Sequence, residues 1–424
     1  MLDTNSTETE NRLSYNFNFG ASESIDGYAP VSPDMIYSPT SGYGFEPGMQ
    51  IDSISRGGDD PLTSSFCTAD TPFYFSVALP EGNYSVTVLL GDAQEASKTT
   101  IKAELRRLMI EEAETQPGEF IRRTFMVNIR TPEIPDGGKV RLKDRELENE
   151  IWAWDEKLTL EFNNSRPCIC ALEIERRDDI PTIFLLGDST VCDQPGEPYC
   201  SWGQMLPRFF KPTVAVANHA ESGESLTSAL GARRVDKVLS QMRPGDYLFV
   251  QFGHNDQKIT WEGTGAFESY LANLKRLAQD VQRLGGVPVL VTSMHRLRFD
   301  SNGRIVNSLG DFPAAVRQAA AETQSALIDL HAMSADFYEA LGRDHAHKAF
   351  VKGDGTHHNN YGAYELARCI VTGIQRAELP IAEDLVDDLS VFNPSEPDDE
   401  QKFYIPVSPG MTSVRPLGDG HDQP

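Results

Sequence analysis

The chain has no run of about 20 apolar residues, the length needed to carry a helix across a bilayer, and no membrane partner is expected. Cations are scarce. Lys and Arg number 38 against 63 Asp and Glu, a formal charge of -25 over 424 residues. That balance argues against a nucleic-acid footprint or attraction to an anionic membrane, and favours a neutral substrate over a polyanion. Cysteine is sparse too. Cys67, Cys168, Cys170, Cys192, Cys200 and Cys369 show neither CxxC nor zinc-ribbon spacing. Cys168 and Cys170 alternate along a predicted strand and share one face, so free thiols in a reducing compartment are the simplest reading. The opening MLDTNSTETE has no basic region followed by an apolar stretch. A cytoplasmic location is therefore expected of the sequence as given, and an extracellular one if an export signal was trimmed from it.

What is present falls into two patterns. Over residues 14–178 the apolar signal is short and alternating, as in FYFSVALPEGNYSVTVLLG, RRTFMVNIRT and KLTLEFNNSRPCICALEIE, with Pro, Gly, Asn and Asp between the runs. This predicts an all-β sandwich, with PEGNY as a hairpin turn. IKAELRRLMIEEA has helical propensity but sits among strands, and is read as a strand or loop excursion.

Over residues 181–379 strands alternate with amphipathic helices. TIFLLG, TVAVAN, YLFVQFG, VPVLVTS and ALIDLH have the length of buried strands, and FESYLANLKRLAQDVQRLG carries its apolar residues at helical spacing. A three-layer α/β domain with a five-stranded parallel sheet follows, making the chain multidomain. Residues 380–424 form an acidic, Pro-bearing tail in which KFYIPV either hangs free or docks on the rest of the chain.

In open parallel sheets, ligands bind beyond the carboxyl ends of the strands. Those ends carry Gly187, Asp188 and Ser189 after the first strand, then Asn218 through Gly223 after the second. Gly253, His254, Asn255 and Asp256 follow the third, and Ser293, His295 and Arg296 the fourth. KGDGTHHNNYGAYELA then places Asp354 and His357 just ahead of a helix. A serine hydroxyl needs an imidazole to take its proton, the imidazole needs a carboxylate to orient it, and the developing oxyanion needs fixed N–H donors. Each of these residue types projects from the same rim.

The blocks GDST, NHAESG, FGHND and DGTH, in that order and after those strands, resemble the SGNH (GDSL) hydrolases. Within them, LLGDSTVCD, QFGHNDQK, SMHRLRFDSNG and KGDGTHHNNYGAYELA are similar to rhamnogalacturonan acetylesterases, over about Thr182 to Ala377. The stretch before Pro181 resembles a galactose-binding-like β-sandwich. The resemblance implies Ser189 as nucleophile, His357 as general base and Asp354 as its orienting carboxylate. The oxyanion hole would be the Ser189 and Gly223 N–H groups and the Asn255 side chain. It further implies a serine carbohydrate esterase that removes acetyl groups from pectic oligosaccharides through an acyl-enzyme, with no cofactor and no metal. Glu224 departs from the pattern, since a basic residue often follows the second-block glycine; this bears on substrate contacts and leaves the catalytic set in place.

Bland readings stand beside these. Asn255 can simply cap a helix, and Asp188 reads as support beneath its turn. Trp202, His254, His295 and Arg296 are possible substrate-binding residues, with Trp202 as a stacking platform and Arg296 as a partner for hydroxyl or carboxylate; core packing is the alternative for Trp202 and His254. His331, His345, His347, His357 and His358 with Asp354 offer donors a metal would take, though the serine constellation already accounts for Asp354 and His357. Esterases of other acetylated sugars and an inactive carbohydrate-binding protein remain the competing functions.

Overall fold

The computed structural model describes residues 14–20, 25–135 and 137–409. Two five-stranded sheets and a smaller one of three strands, Cys168–Ile169, Ser65–Thr68 and Asp52–Ser55, build the first domain. One five-stranded sheet runs in the order Phe120–Ile129, Gly82–Gly91, Ala171–Arg176, Ser14–Phe19 and Ala29–Val31; the other runs Tyr43–Phe45, Phe73–Ala78, Lys157–Arg166, Ser97–Ala103 and Arg107–Thr115. Their inner faces share one core, with Phe17, Val86 and Ile174 from the first sheet against Phe75, Leu160 and Phe162 from the second. Ser14–Phe19 pairs antiparallel with Ala171–Arg176, so the first and last strands of the domain lie side by side.

Two local expectations meet different fates. PEGNY is not a hairpin turn: Phe73–Ala78 and Gly82–Gly91 lie in different sheets, and the turn carries the chain from one layer to the other. Turn chemistry reports a reversal and not the pairing of its flanks. IKAELRRLMIEEA is strand on both sides of a tight reversal, Ser97–Ala103 with Arg107–Thr115, whose tip places Glu104 (φ 55°) and Arg106 (φ 61°) in the left-handed region. Burial of Ile101, Ala103 and Leu108 overrides helical propensity there.

The second domain is a parallel sheet in the order Ala215–Asn218, Thr182–Gly187, Tyr247–Gln251, Val287–Val291, Ala326–Ile328. Because side chains alternate across a strand, Ile183 and Leu185 enter one core with Phe249, Val289 and helix Asn360–Arg376. Phe184 and Leu186 enter the opposite core with Val250, Leu290 and helix Leu271–Arg283. Covering both faces explains why these strands read as continuous apolar runs.

The domains interlock. The tip at Leu105 and Arg106 reaches into the second domain, where the Leu105 carbonyl accepts from Gln204 Nε2 (2.6 Å) and Arg106 Nη1 donates to the carbonyls of Gln194 (3.1 Å) and Tyr199 (3.0 Å). The strand Phe120–Ile129 packs on the edge strand Ala215–Asn218, with Met126 and Ala215 in one apolar cluster. The tail docks across both domains. Phe403 meets the rings of Tyr361 and Tyr364 at 5.6 and 5.2 Å, while Lys102 Nζ donates to the Pro406 carbonyl (2.6 Å) and Ser408 Oγ (2.7 Å). The rest of the predicted tail, 410–424, lies outside the described residues.

This docking has a measurable weight. Phe403→Ala should lower the unfolding free energy by about 2 kcal/mol in a urea titration, as partial removal of a packed aromatic does. Tyr404→Ala, at a position 64% exposed, should change it by less than about 0.5 kcal/mol.

Candidate active site

The first strand of the parallel sheet ends at Gly187, where a Cβ would stand 2.8 Å from the Gln251 carbonyl oxygen and 2.5 Å from Val191. Only glycine lets the turn fold back this tightly against the neighbouring strand. The Asp188 carbonyl then accepts from the N–H groups of Val191 (2.9 Å) and Cys192 (3.0 Å), and its carboxylate accepts from the Thr190 N–H (3.0 Å) and hydroxyl (2.7 Å). Asp188 thus braces the turn from below, with His254 Nδ1 3.4 Å from its other oxygen. Burial pushes the Asp188 carboxyl up, but His254 and the Thr190 hydrogen bonds outweigh it and hold the group below its ordinary value. Ser189 rides on top of this braced turn.

The loop before helix Asn360–Arg376 brings up the other two residues. Asn359 caps that helix by accepting from the Gly362 N–H (3.0 Å), fixing where the loop ends. Asp354 Oδ1 accepts from the backbone N–H groups of Thr356 (2.8 Å) and His357 (3.0 Å), and Oδ2 lies 2.9 Å from His357 Nδ1. Burial raises the Asp354 carboxyl, but the hydrogen bond and charge of His357 and the two backbone donors bring it down to about 2. An ionised carboxylate on Nδ1 keeps the proton there, so Nε2 is left as the acceptor, and the Ser189 hydroxyl donates to it at 2.8 Å. A hydroxyl, an imidazole and a carboxylate from positions 189, 357 and 354 form one proton-transfer chain.

The second and third loops meet beside it. Gly223 has φ +74°, a backbone conformation that glycine adopts without strain. The Asn255 side chain does not cap the short helix Asp256–Lys258; its Nδ2 reaches across and donates to the Glu224 carbonyl (3.0 Å). Among the described residues, neither the Ser189 nor the Gly223 amide donates a hydrogen bond to the protein. Two amides and the second proton of an Asn amide are the donor set that a developing oxyanion takes.

The remaining sequence candidates turn inward. Trp202 is fully buried, with its Nε1 donating to Gln251 Oε1 (2.8 Å); it is a core residue and offers no ring face to a sugar. His254 and His295 are buried to the same degree as Ser189 and His357. His254 sits against Asp188, and His295 stacks on His331 with ring centroids 3.6 Å apart, where burial and His331 push it down to about 3. Arg296 is a brace: it donates to Thr356 Oγ1 (3.2 Å) and the His254 carbonyl (3.2 Å), tying the histidine loop to the asparagine loop. Glu224 is buried against Lys143 Nζ at 2.9 Å.

The histidines that suggested metal donors go separate ways. His358 shares a 2.7 Å hydrogen bond with Tyr338, and His357 belongs to the serine chain. Among the described residues the carboxylates of Glu146, Glu150 and Glu221 do cluster, but Arg145 and Arg234 lie among them.

Three residues escaped sequence reasoning. Gln194 Nε2 donates to the Ser189 carbonyl (2.6 Å), Tyr199 sets its ring edge-on to His357 at 5.7 Å, and Lys143 arrives from the first domain. Gln194 and Tyr199 follow the GDST block closely, and that short separation was a signal of their proximity. Nothing in the sequence pointed to Lys143.

Comparison with known proteins fits this geometry. The GDSL-like lipase/acylhydrolase family model matches residues 185–363. Rhamnogalacturonan acetylesterase RhgT of Bacillus subtilis is 37% identical over 219 residues, covering 48% of this chain and 94% of that relative. The chain belongs to the GDSL-like lipase/acylhydrolase family. It is a carboxylic ester hydrolase whose first domain matches, over residues 15–112, the galactose-binding-like domain of β-agarases and YxiM-like esterases. The uncharacterised esterase YxiM of Bacillus subtilis is 26% identical over 375 residues, covering 85% of this chain and 91% of that one. A crystal structure of the Bacillus subtilis YxiM protein, 23% identical, covers 87% of this chain and 99% of its own with a TM-score of 0.47.

Asp354→Asn should retain the fold and lower kcat by on the order of 10⁴, because the imidazole loses its tautomer control. The depressed carboxyl contributes stability above its unfolded value of about 3.9, lost as pH falls through about 2. Thermal unfolding between pH 5 and pH 2 should therefore show a smaller acid-induced loss in the variant, by about 2 kcal/mol.

Proposed function

We propose that this hydrolase is a serine acetylesterase acting on acetylated sugars, with acetylated rhamnogalacturonan oligosaccharides as its first substrate class. The observation that carries the reading is the Ser189–His357–Asp354 chain, with contacts of 2.8 and 2.9 Å. In the proposed cycle the Ser189 oxygen attacks the ester carbonyl as its proton passes to His357 Nε2. The tetrahedral oxyanion is held by the Ser189 and Gly223 N–H groups and Asn255 Nδ2. Collapse breaks the bond to the sugar oxygen, which leaves with the proton from His357, and Ser189 is left acetylated. Water then attacks, giving its proton to His357, and acetate departs as Ser189 regains its hydrogen. These steps use the chain's own side chains and backbone amides, with water as the second nucleophile.

Two features support a small acyl group on a carbohydrate. Ser189 is only 4% exposed, so the approach to its hydroxyl suits acetyl better than a long acyl chain. The curated relative RhgT is named a rhamnogalacturonan acetylesterase, and its likeness covers 48% of this chain. A second reading, an esterase of neutral acetylated sugars, is favoured by the net charge of -25, which repels a polyuronide chain.

Acetate release from acetylated rhamnogalacturonan oligosaccharides, from acetylated neutral oligosaccharides and from p-nitrophenyl acetate separates the readings. Ser189→Ala should lower kcat by on the order of 10⁶, and Asn255→Ala by roughly 10² to 10³. Serine-dependent release from neutral sugars alone would move the substrate to the second reading. Release from neither sugar, with the small ester still cleaved, would discard the carbohydrate assignment, and an active Ser189→Ala would discard the mechanism.

A further inference from the structure

The first domain does more than stand beside the active site. Between its strands Phe120–Ile129 and Lys157–Arg166 the chain leaves the sandwich and crosses to the second domain. There Lys143, just ahead of helix Asp144–Glu148, straddles Gly223. Its Nζ donates to the carbonyl of Ser222, the residue before that glycine, and pairs at 2.9 Å with the carboxylate of Glu224, the residue after it. Glu224 in turn accepts from the Ser228 hydroxyl through its side chain and from Asn255 Nδ2 through its carbonyl. One ammonium group therefore holds both sides of Gly223, and through Glu224 it holds the residue on which Asn255 rests.

The same excursion grips the loop elsewhere. Arg145 Nε lies 3.5 Å from Glu221, Glu146 pairs with Arg234, and the Trp154 ring meets His219 edge-on at 5.8 Å. Lys143 differs from these contacts because it binds the two peptide neighbours of Gly223 directly. The Glu224 side chain is 2% exposed, so without the ammonium a buried carboxylate beside the oxyanion donors would lose its nearer cation and keep the Ser228 hydroxyl and Arg234 Nε at 3.8 Å. The loop would then have reason to shift, and a shift of under an ångström at an oxyanion donor costs orders of magnitude in rate.

We propose that Lys143 is a positioning residue for the oxyanion hole, supplied by the N-terminal domain and acting through Ser222 and Glu224 on Gly223 and Asn255. The inference rests on the proposed assignment of those two residues as oxyanion donors. It implies that the sandwich and its excursion are part of the catalytic apparatus of this esterase, and that the second domain alone has an incomplete site.

The test is a double-mutant cycle on the full chain, with p-nitrophenyl acetate as substrate. Lys143→Met should lower kcat by about 10- to 100-fold with KM changed less than about twofold, since the group acts on the transition state. Lys143→Arg should restore kcat to within about fivefold of wild type. Lys139→Met, on the same excursion but 64% exposed at its side chain, should leave kcat unchanged. In an Asn255→Ala background the Lys143→Met penalty should shrink to less than about threefold, because both changes disable one device. A merely structural lysine would instead lower the melting temperature and add its full penalty in either background.

Wild-type kcat in Lys143→Met, or full additivity with Asn255→Ala, overturns the proposal. A normal kcat in Asn255→Ala alone overturns the oxyanion assignment beneath it, which separates the two failures. Should Lys143→Met not fold, Lys143→Gln, with a neutral hydrogen-bonding side chain, takes its place in the cycle, and the same loss of kcat and the same shrinkage in the Asn255→Ala background are expected of it.

Discussion

A carboxylate that must stay ionised while largely withdrawn from water governs the geometry of this site. Asp354 meets that demand by accepting from two backbone N–H groups and from the His357 ring, and each of those donors is fixed by the loop that enters helix Asn360–Arg376. The demand propagates. The loop keeps its shape because Asn359 caps the helix on one side and Arg296 ties Thr356 to the His254 carbonyl on the other. His254 then lies against Asp188, which braces the turn carrying Ser189. From the orienting carboxylate to the serine, the supports are buried or part-buried polar contacts that tie one loop to the next.

Much of the serine chain was legible in the sequence because it is built from local signals. A buried strand that stops at Gly-Asp-Ser declares a tight turn with a presented hydroxyl, and Asp354 and His357 sit three apart on a loop entering a helix. The five strands were legible for the same reason, since a sheet covered on both faces leaves continuous apolar runs. What could not be read is what depends on which surfaces meet. PEGNY has the composition of a reversal, but whether its flanks pair or part is decided by the packing of two sheets. Trp202 admitted both readings because its polar edge and apolar body suit a rim as well as a core, and burial with the Gln251 partner decides between them. Lys143 lies 79 residues from the carbonyl it binds, a separation at which local pattern carries no information.

The two domains are joined by buried charge as much as by apolar packing. Arg107 reaches Asp193 at 3.0 Å, Arg106 reaches Glu197 at 2.6 Å, and Arg234 in the second domain answers Glu146 in the first. Ion pairs withdrawn from water gain little over an apolar contact of equal size, but a missing partner is severely penalised, so they define one docking geometry more sharply than they strengthen it. The overall composition is acidic, yet these arginines are concentrated where the halves meet. The galactose-binding-like sandwich is thereby held against the hydrolase domain in one geometry.

The strand Ala215–Asn218 stands at the open edge of the parallel sheet, and Met126 of the sandwich packs over it. An uncovered edge strand is a template for pairing with another chain, and parallel sheets, with their distant strand partners, form slowly enough to leave such edges exposed. Domain order along the chain answers this hazard. The sandwich precedes the sheet, and domains form as units from the N-terminus during synthesis, so the cover for that edge is already made when the edge itself leaves the ribosome. A chain permuted to put the hydrolase half first would keep every native contact and still expose its sheet to neighbouring nascent chains while waiting for its guard.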